Sequence, residues 1–322
     1  MTAPGRDTWR RPLGTTGLHV TAVAVGGGPL GSMPQLFGHD LAHADGVALA
    51  AHVLDSPIRV LDTANGYSDG ESERRIGAAI AARGGLPDDF LITTKVDAAG
   101  RDYSGTRVRA SIVESKQRLG LDELPLVFLH DPEFFDFAEL TGPGGAVETL
   151  MKLRDEGVIG HVGLAGGTSQ EMSRYLALGG FEVLLVHNRW TLVDHSATDL
   201  LDQAEDLKIP VVNAAIYGGG LLAAPRSGRT TYAYRPASEA TLAAVREMDR
   251  VCTEFGTDLA TAALQASVRD SRVTSTIVGL SSPARVDALL GSLAAELSPD
   301  LFTTLDELRP GPEHWIDHAG SQ

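Results

Sequence analysis

Four side chains in this sequence have the types and positions to move a proton on and off a carbon-bound oxygen: Asp62, Tyr67, Lys95 and His130. Three of them stand at the ends of short apolar runs, "IRVLDT" (58–63), "FLITTK" (90–95) and "LPLVFLH" (124–130), and Tyr67 follows Asp62 by five residues in "DTANGY". A free phenol, with a pKa of ~10, is a poor base at neutral pH, and a neighbouring ammonium favours its ionised form. Lys95 is the ammonium available. Held away from water it needs a counter-charge, which Asp62 supplies, and His130 can hydrogen-bond the substrate oxygen. Tyr67 then serves as general acid or base at a carbonyl or hydroxyl carbon. Singly, each residue has a plainer reading: a helix cap for Asp62, a rim aromatic for Tyr67, a solvated strand end for Lys95, a core imidazole for His130. Their joint occurrence behind successive strands argues for chemistry. No metal site is expected: His130 and Asp131 adjoin, but neither an HxH pair nor a second strand-end carboxylate cluster completes one.

Such residues meet only if the fold gathers the strand ends. Eight short runs rich in β-branched and apolar residues punctuate the chain, at 21–26, 58–63, 90–95, 124–130, 160–165, 181–186, 209–214 and 274–279. Between them apolar residues recur at helical spacing, as in Val108, Ile112, Ser115 and Leu119, or Leu242, Val245, Met248 and Val251. Near-continuous apolar strands alternating with helices imply a parallel sheet buried on both faces. The count of eight favours a closed (β/α)8 TIM barrel, whose active site lies at the C-terminal ends of its strands. "GGGPLG" (26–31) satisfies G-x-G-x-x-G, but Pro29, Pro34, Gly38 and "FGHD" break any helix before about residue 43, so a dinucleotide-binding open sheet is rejected. "RPLGTTGLHV", with Gly14 and Gly17, reads as an N-terminal β-hairpin plugging the barrel bottom, and extra helices end the chain. The irregular stretch 217–238 is too long for a passive connection and reads as a binding loop. No linker or composition shift divides residues 1–322, which read as a single barrel domain.

With 322 residues, 43% of them apolar, the chain can bury a large core. A formal charge of −15 without a basic stripe argues against a nucleic-acid partner. Cys252 is the only cysteine, which excludes an intrachain disulfide and fits a reducing cytoplasm. No apolar run reaches the ~18 residues of a membrane span, and no signal-peptide core is present. A cytoplasmic monomer or small homo-oligomer acting on a small molecule is expected.

The sequence "DTANGY", then "TTK", then "LVFLHDP", resembles the aldo-keto reductase superfamily, whose Asp, Tyr, Lys and His tetrad falls on Asp62, Tyr67, Lys95 and His130. The likeness runs from "RPLGTTGLHVTAVAVGGGPLG" through "SERRIGAAI" and "LRDEGVIGHVGLAGG" to "STIVGLSSPARVDALL". "FLHDPE", "HNRWTLVDHSATDLL" and "EHWID" are most similar to the branch of aldose 1-dehydrogenases and pyridoxal or L-galactose dehydrogenases. The resemblance implies NADP or NAD as cofactor, bound without a Rossmann fold, and oxidation of a lactol to a lactone. A carbonyl reductase of the same chemistry and a non-catalytic cofactor-binding regulatory subunit are the alternatives. After the eighth strand Gly279, Ser281 and Ser282 lead into a Ser-Pro helix start where free N–H groups favour a phosphate, and Arg285 matches the residue that often contacts the adenosine 2′-phosphate. Gly279 stands where many NADP-dependent members carry a basic residue. His187 and Thr191 replace the usual Gln and Asn near the nicotinamide amide, with Asn188 between them, and Ala165 and Gly166 replace Ser and Asn. Ala214 replaces a stacking aromatic, leaving Tyr217 or Trp190 as substitutes. Tyr103, His187, Asn188 and Trp190 are the rim residues expected to hold a sugar. Asp69, Glu71 and Glu73 open the next helix, where the dipole favours negative charge, and are read as structural.

Overall fold

The computed structural model describes residues 3–32, 34 and 40–318. The chain enters through an antiparallel hairpin of β1 (Arg10–Pro12) and β2 (His19–Thr21). Eight parallel strands then close on themselves. They are β3 (Val23–Gly26), β4 (Val60–Asp62), β5 (Leu91–Val96), β6 (Leu126–His130), β7 (His161–Gly166), β8 (Val183–His187), β9 (Val211–Ala214) and, after a short pair β10 (Thr231–Tyr232) and β11 (Arg235–Pro236), β12 (Val273–Gly279), which pairs with both β9 and β3. Each falls within about two residues of its expected run.

Alternation along the strands explains the interior. Ala24, Val60, Leu91, Leu126, Phe128, Ala165, Val183, Leu185, Val212 and Ile277 point inward and form one apolar cluster. Leu13 and Val20 of the hairpin complete it from below, so the expected plug is present. Gly163 belongs to this layer because the Phe128 ring occupies the space a side chain would take. Further inward positions toward the mouth are Asp62, Lys95, His130 and His187: the same two-residue period that fills the barrel with hydrocarbon ends these four strands, β4, β5, β6 and β8, on a polar group.

The intervening outward residues, such as Leu61, Ile92, Val127, Leu164, Leu184 and Val278, pack against the helices in a second cluster. Each such side chain, fully buried, contributes ~1.5–3 kcal/mol. Among the described residues the packed α-helices include α1 (His43–Asp55), α2 (Glu71–Arg83), α3 (Gly105–Leu119), α4 (Phe137–Thr141), α5 (Ala146–Asp155), α6 (Ser169–Leu176), α7 (Thr198–Asp206), α8 (Glu239–Glu254), α9 (Leu259–Arg269), α10 (Pro283–Ala294) and α11 (Pro299–Glu307). On α3, Val108, Ile112, Ser115 and Leu119 face inward as their spacing implies. Ser104 caps its first turn by accepting from Arg107 N, and Gly120 ends it in the left-handed region.

Pro29–Gly31 form a single 3-10 turn, so "GGGPLG" opens no α-helix there. Gly38 and most of "FGHD" lie outside the described residues. The stretch 217–238 is not free: Tyr232 is buried, its hydroxyl donates to Asn188 O at 2.6 Å, and it shares a 2.8 Å hydrogen bond with Thr191 Oγ1. A third cluster, including Leu222, Tyr232, Met248, Cys252 and Leu301, ties this loop to α8, α9 and α11. Cys252 is free and buried. Among the described residues no helix is long and apolar enough to cross a membrane.

Candidate active site

Register brings the first pair together. Asp62 is paired with Thr93 across β4 and β5, so Lys95 stands one inward step above it. Lys95 Nζ lies 2.6 Å from Asp62 Oδ2, and the two side chains are only 1% and 5% exposed. The ammonium also donates to Thr63 O at 2.7 Å and to the Tyr67 hydroxyl at 3.2 Å, so all three of its protons are placed. Thr93 Oγ1 donates to Asp62 Oδ1 at 2.8 Å. A charge pair this deeply buried is supported by hydrogen bonds to both partners.

Tyr67 sits on the turn after β4, with Lys95 Nζ 4.7 Å from its ring centre. Burial outweighs the downward pull that Lys95, as expected, exerts on the phenol. Burial pushes the Tyr67 hydroxyl above its ordinary value, and Asp62 and Asp131 reinforce this; Lys95 opposes the rise without reversing it. The Lys95 charge is largely answered by Asp62. Burial alone would weaken the ammonium, yet Asp62 and Tyr67 hold it protonated, above its usual range.

The Tyr67 turn hangs on the neighbouring helices. Asn65 donates to Ser111 O (3.2 Å), Glu114 Oε2 (3.1 Å) and Ser115 Oγ (3.2 Å), all on α3. Arg107 reaches Asn65 Oδ1 at 3.0 Å and grips Glu114 with two 2.7 Å bonds, which, with the Asn65 bond, holds that carboxyl down to about 2. Glu73 lies in the first turn of α2 as expected and is structural: it is fully buried, accepts from Thr94 Oγ1 at 2.7 Å and meets Arg118 at 3.2 Å. Neither Asn65 nor Arg107 was legible as part of the site, since their contacts span loops and helices far apart in sequence.

His130 ends β6 with Nδ1 2.6 Å from Asp97 Oδ1. Asp97 and Asp131 oppose the effect of burial, and the imidazole is more basic than usual. Asp97 was missed, although it occupies the next inward position after Leu91, Thr93 and Lys95, and that period could have found it. Tyr103, expected at the rim, is instead buried behind this residue. It donates to Val96 O at 2.7 Å and accepts from the His130 amide at 2.9 Å, leaving nothing for a sugar.

Across the mouth His187 Nε2 lies 3.6 Å from Asp131 Oδ1, and His187 Nδ1 faces Asn188 Nδ2 at 3.2 Å. Asp131, Glu133 and His187 bring ligand atoms within 4.8 Å of one another, a strand-end cluster that sequence spacing gave no reason to expect. Glu133 Oε1 is already taken by the amides of Gly167 (2.6 Å) and Thr168 (3.3 Å), and no ion is assigned there. Trp190 is corrected as well. It stacks on His195 at 3.7 Å, under Arg272, and lines a cavity of about 510 Å³ that none of the four tetrad residues lines.

Residues 26–310 match the Aldo/keto reductase family. The chain belongs to that family. It is 29% identical to pyridoxal 4-dehydrogenase of Microbacterium luteolum over 92% of this chain and 96% of that protein. It is 30% identical to D-threo-aldose 1-dehydrogenase of a Pseudomonas species (91% and 95% covered), and 30% identical to L-galactose dehydrogenase of Arabidopsis thaliana (86% and 85%). The holo form of a Bacillus halodurans aldo-keto reductase superposes with a TM-score of 0.76 at 21% identity, covering 97% of this chain and 99% of that one, which shows the shared barrel.

As an aldo/keto reductase the chain is an NAD(P)-dependent oxidoreductase, and the residues at the mouth fit a nicotinamide nucleotide. Asn188 Oδ1 and Asp131 Oδ1 are buried without a hydrogen-bond partner, two acceptors suited to an amide NH2. Ser282 is the N-cap of α10 but makes no side-chain cap, and Pro283 occupies the first turn, so the helix start keeps donors for a phosphate. Arg285 is exposed just beyond, and its charge opposes the burial that raises the nearby Tyr217 hydroxyl. A Cβ at Gly279 would come within 2.9 Å of Pro29 Cγ, and one at Gly166 within 2.7 Å of Glu133 Oε2. These approaches give physical reasons for both departures from the family pattern. Ser281 is half-buried beside Ser282.

Proposed function

We propose that this aldo/keto reductase oxidises the anomeric hydroxyl of an aldose to a lactone. The observation that carries the chemistry is the Tyr67 hydroxyl, 3.2 Å from Lys95 Nζ. Two relatives that cover most of the chain are named for dehydrogenation of sugars, which supports the substrate class.

Tyr67 in its phenolate form takes the proton from O1, and Lys95 stabilises that phenolate. His130 donates from Nε2 to the same oxygen and fixes its position. A nicotinamide held at the mouth would supply the acceptor for the hydride from C1. Asp131 and Asn188 would accept from its amide. The amides at the start of α10 and Arg285 would hold the phosphates, with Arg285 reading the 2′-phosphate of NADP.

The raised phenol favours a second reading. A protonated Tyr67 at neutral pH is ready to act as an acid, which suits reduction of a small aldehyde. Incubating the enzyme with NAD or NADP and a panel of fucose, arabinose and galactose, then identifying products by NMR, separates the two. A lactone supports the dehydrogenase; rapid aldehyde reduction with no lactone from any sugar supports the reductase.

A further inference from the structure

We infer that Asp97 is a positioning residue of this site: its carboxylate clamps the turn that carries Tyr67 to the ring of His130, so that phenol and imidazole address one substrate oxygen. The inference rests on the oxidoreductase reading of the tetrad.

Both carboxylate oxygens are used. Oδ1 meets His130 Nδ1 at 2.6 Å, and Oδ2 accepts from Gly66 N at 2.6 Å. Gly66 immediately precedes Tyr67, and a Cβ there would lie 2.9 Å from Asp97 Cγ, so glycine is what admits the approach. Asp97 is itself fixed by α3: its amide donates to Ser111 Oγ at 3.3 Å and its carbonyl accepts from Arg107 Nε at 3.1 Å. The His130 backbone is held separately through Tyr103. Asp97 sets the Nδ1 side of the ring: with a carboxylate there, that nitrogen carries a proton, while Nε2 lies 3.8 Å from Asp131 Oδ2.

The charge of the ring follows from its neighbours. Burial and Lys95 on β5 oppose the imidazolium, while Asp97 just after β5 and Asp131 after β6 favour it. Tyr67 faces the ring edge-on, and His187 on β8 shares Asp131 with it. Asp97 is the closest of the favourable charges. With it, His130 presents an Nε2–H donor that stabilises negative charge developing on the substrate oxygen, in either direction of hydride transfer.

Asp97→Asn keeps the size and an acceptor for Gly66 but turns an amide NH2 toward Nδ1, which then has to be unprotonated. Imidazole 1H–15N correlation spectra across a pH series read the result without substrate. In the unaltered protein the His130 signals should stay those of an imidazolium above the ordinary histidine midpoint of ~6.5. In Asp97→Asn the midpoint should fall below it. kcat should drop by about 10²-fold or more, the scale of general acid–base help, with the cofactor dissociation constant and the substrate KM each changed by less than about threefold. A role confined to stability would instead lower the melting temperature and leave the pH profile of kcat unchanged. His130 titrating at the ordinary midpoint in the unaltered protein, the same midpoint in Asp97→Asn, or an unchanged kcat would each overturn the inference. Inactivity of the unaltered enzyme on every sugar strikes the aldose reading alone, because the imidazole signals report on Asp97 independently.

Discussion

The Tyr67 ring stands edge-on to the His130 ring, their centres 5.6 Å apart and their planes at 76°. One sits on the turn after β4 and the other ends β6, and they share one small volume at the barrel mouth, where a substrate oxygen can touch both.

Loss of the phenol tests that volume directly. Tyr67→Phe should lower kcat by ~10² or more while leaving cofactor affinity unchanged, because only the proton relay is removed. Stopped-flow turnover with fluorescence titration of the cofactor checks both halves, and full turnover in the variant would take Tyr67 out of the mechanism.

The phenol's raised basicity sets the pH dependence. A base with a pKa above 10 is mostly protonated at neutral pH, so sugar oxidation should accelerate with pH through the alkaline range, while reduction, which needs the protonated form, should slow. The apparent midpoint belongs to the Tyr67–Lys95 pair. A plateau in oxidation rate already at pH 7 would contradict this.

Lys95→Met leaves the Asp62 carboxylate buried without its cation. Breaking such a pair from one side costs about 3–5 kcal/mol, so the variant should unfold at markedly lower urea concentration. The double variant Lys95→Met with Asp62→Asn should recover part of the loss, and denaturation curves of both proteins measure it.

His195, half-buried against Trp190 and near the charges of Arg309 and Arg272, is held down to about 3. The unfolded chain binds this proton below about pH 6.5, and the folded protein does not until near pH 3. Its contribution to stability is therefore complete above pH 6.5 and is lost as the pH falls toward 3. His195→Gln should flatten the fall in melting temperature over that window, and an unchanged slope would show that His195 does not titrate as described.

Arg285→Ala should weaken NADP(H) more than NAD(H), since only the former offers a 2′-phosphate to the guanidinium. Equal losses in fluorescence titrations would mean that Arg285 does not read that group.

Strand order and the tetrad were legible from sequence because both depend on local rules. Apolar runs of strand length mark where the chain is buried on both faces, and polar residues at their ends mark the mouth once a barrel is assumed. Asp62, Tyr67, Lys95 and His130 needed nothing more than that period and a family likeness. Tertiary structure decided the rest, through contacts that no spacing encodes. It placed Asp97 between Gly66 and His130, because the turn after β4 and the end of β6 meet only across β5. It buried Tyr103 behind His130 and turned Trp190 onto His195, although both read as rim aromatics. It also raised the Tyr67 phenol where the nearby Lys95 alone implied a fall, since desolvation depends on how completely the surrounding chain excludes water and Asp62 answers most of the ammonium's charge.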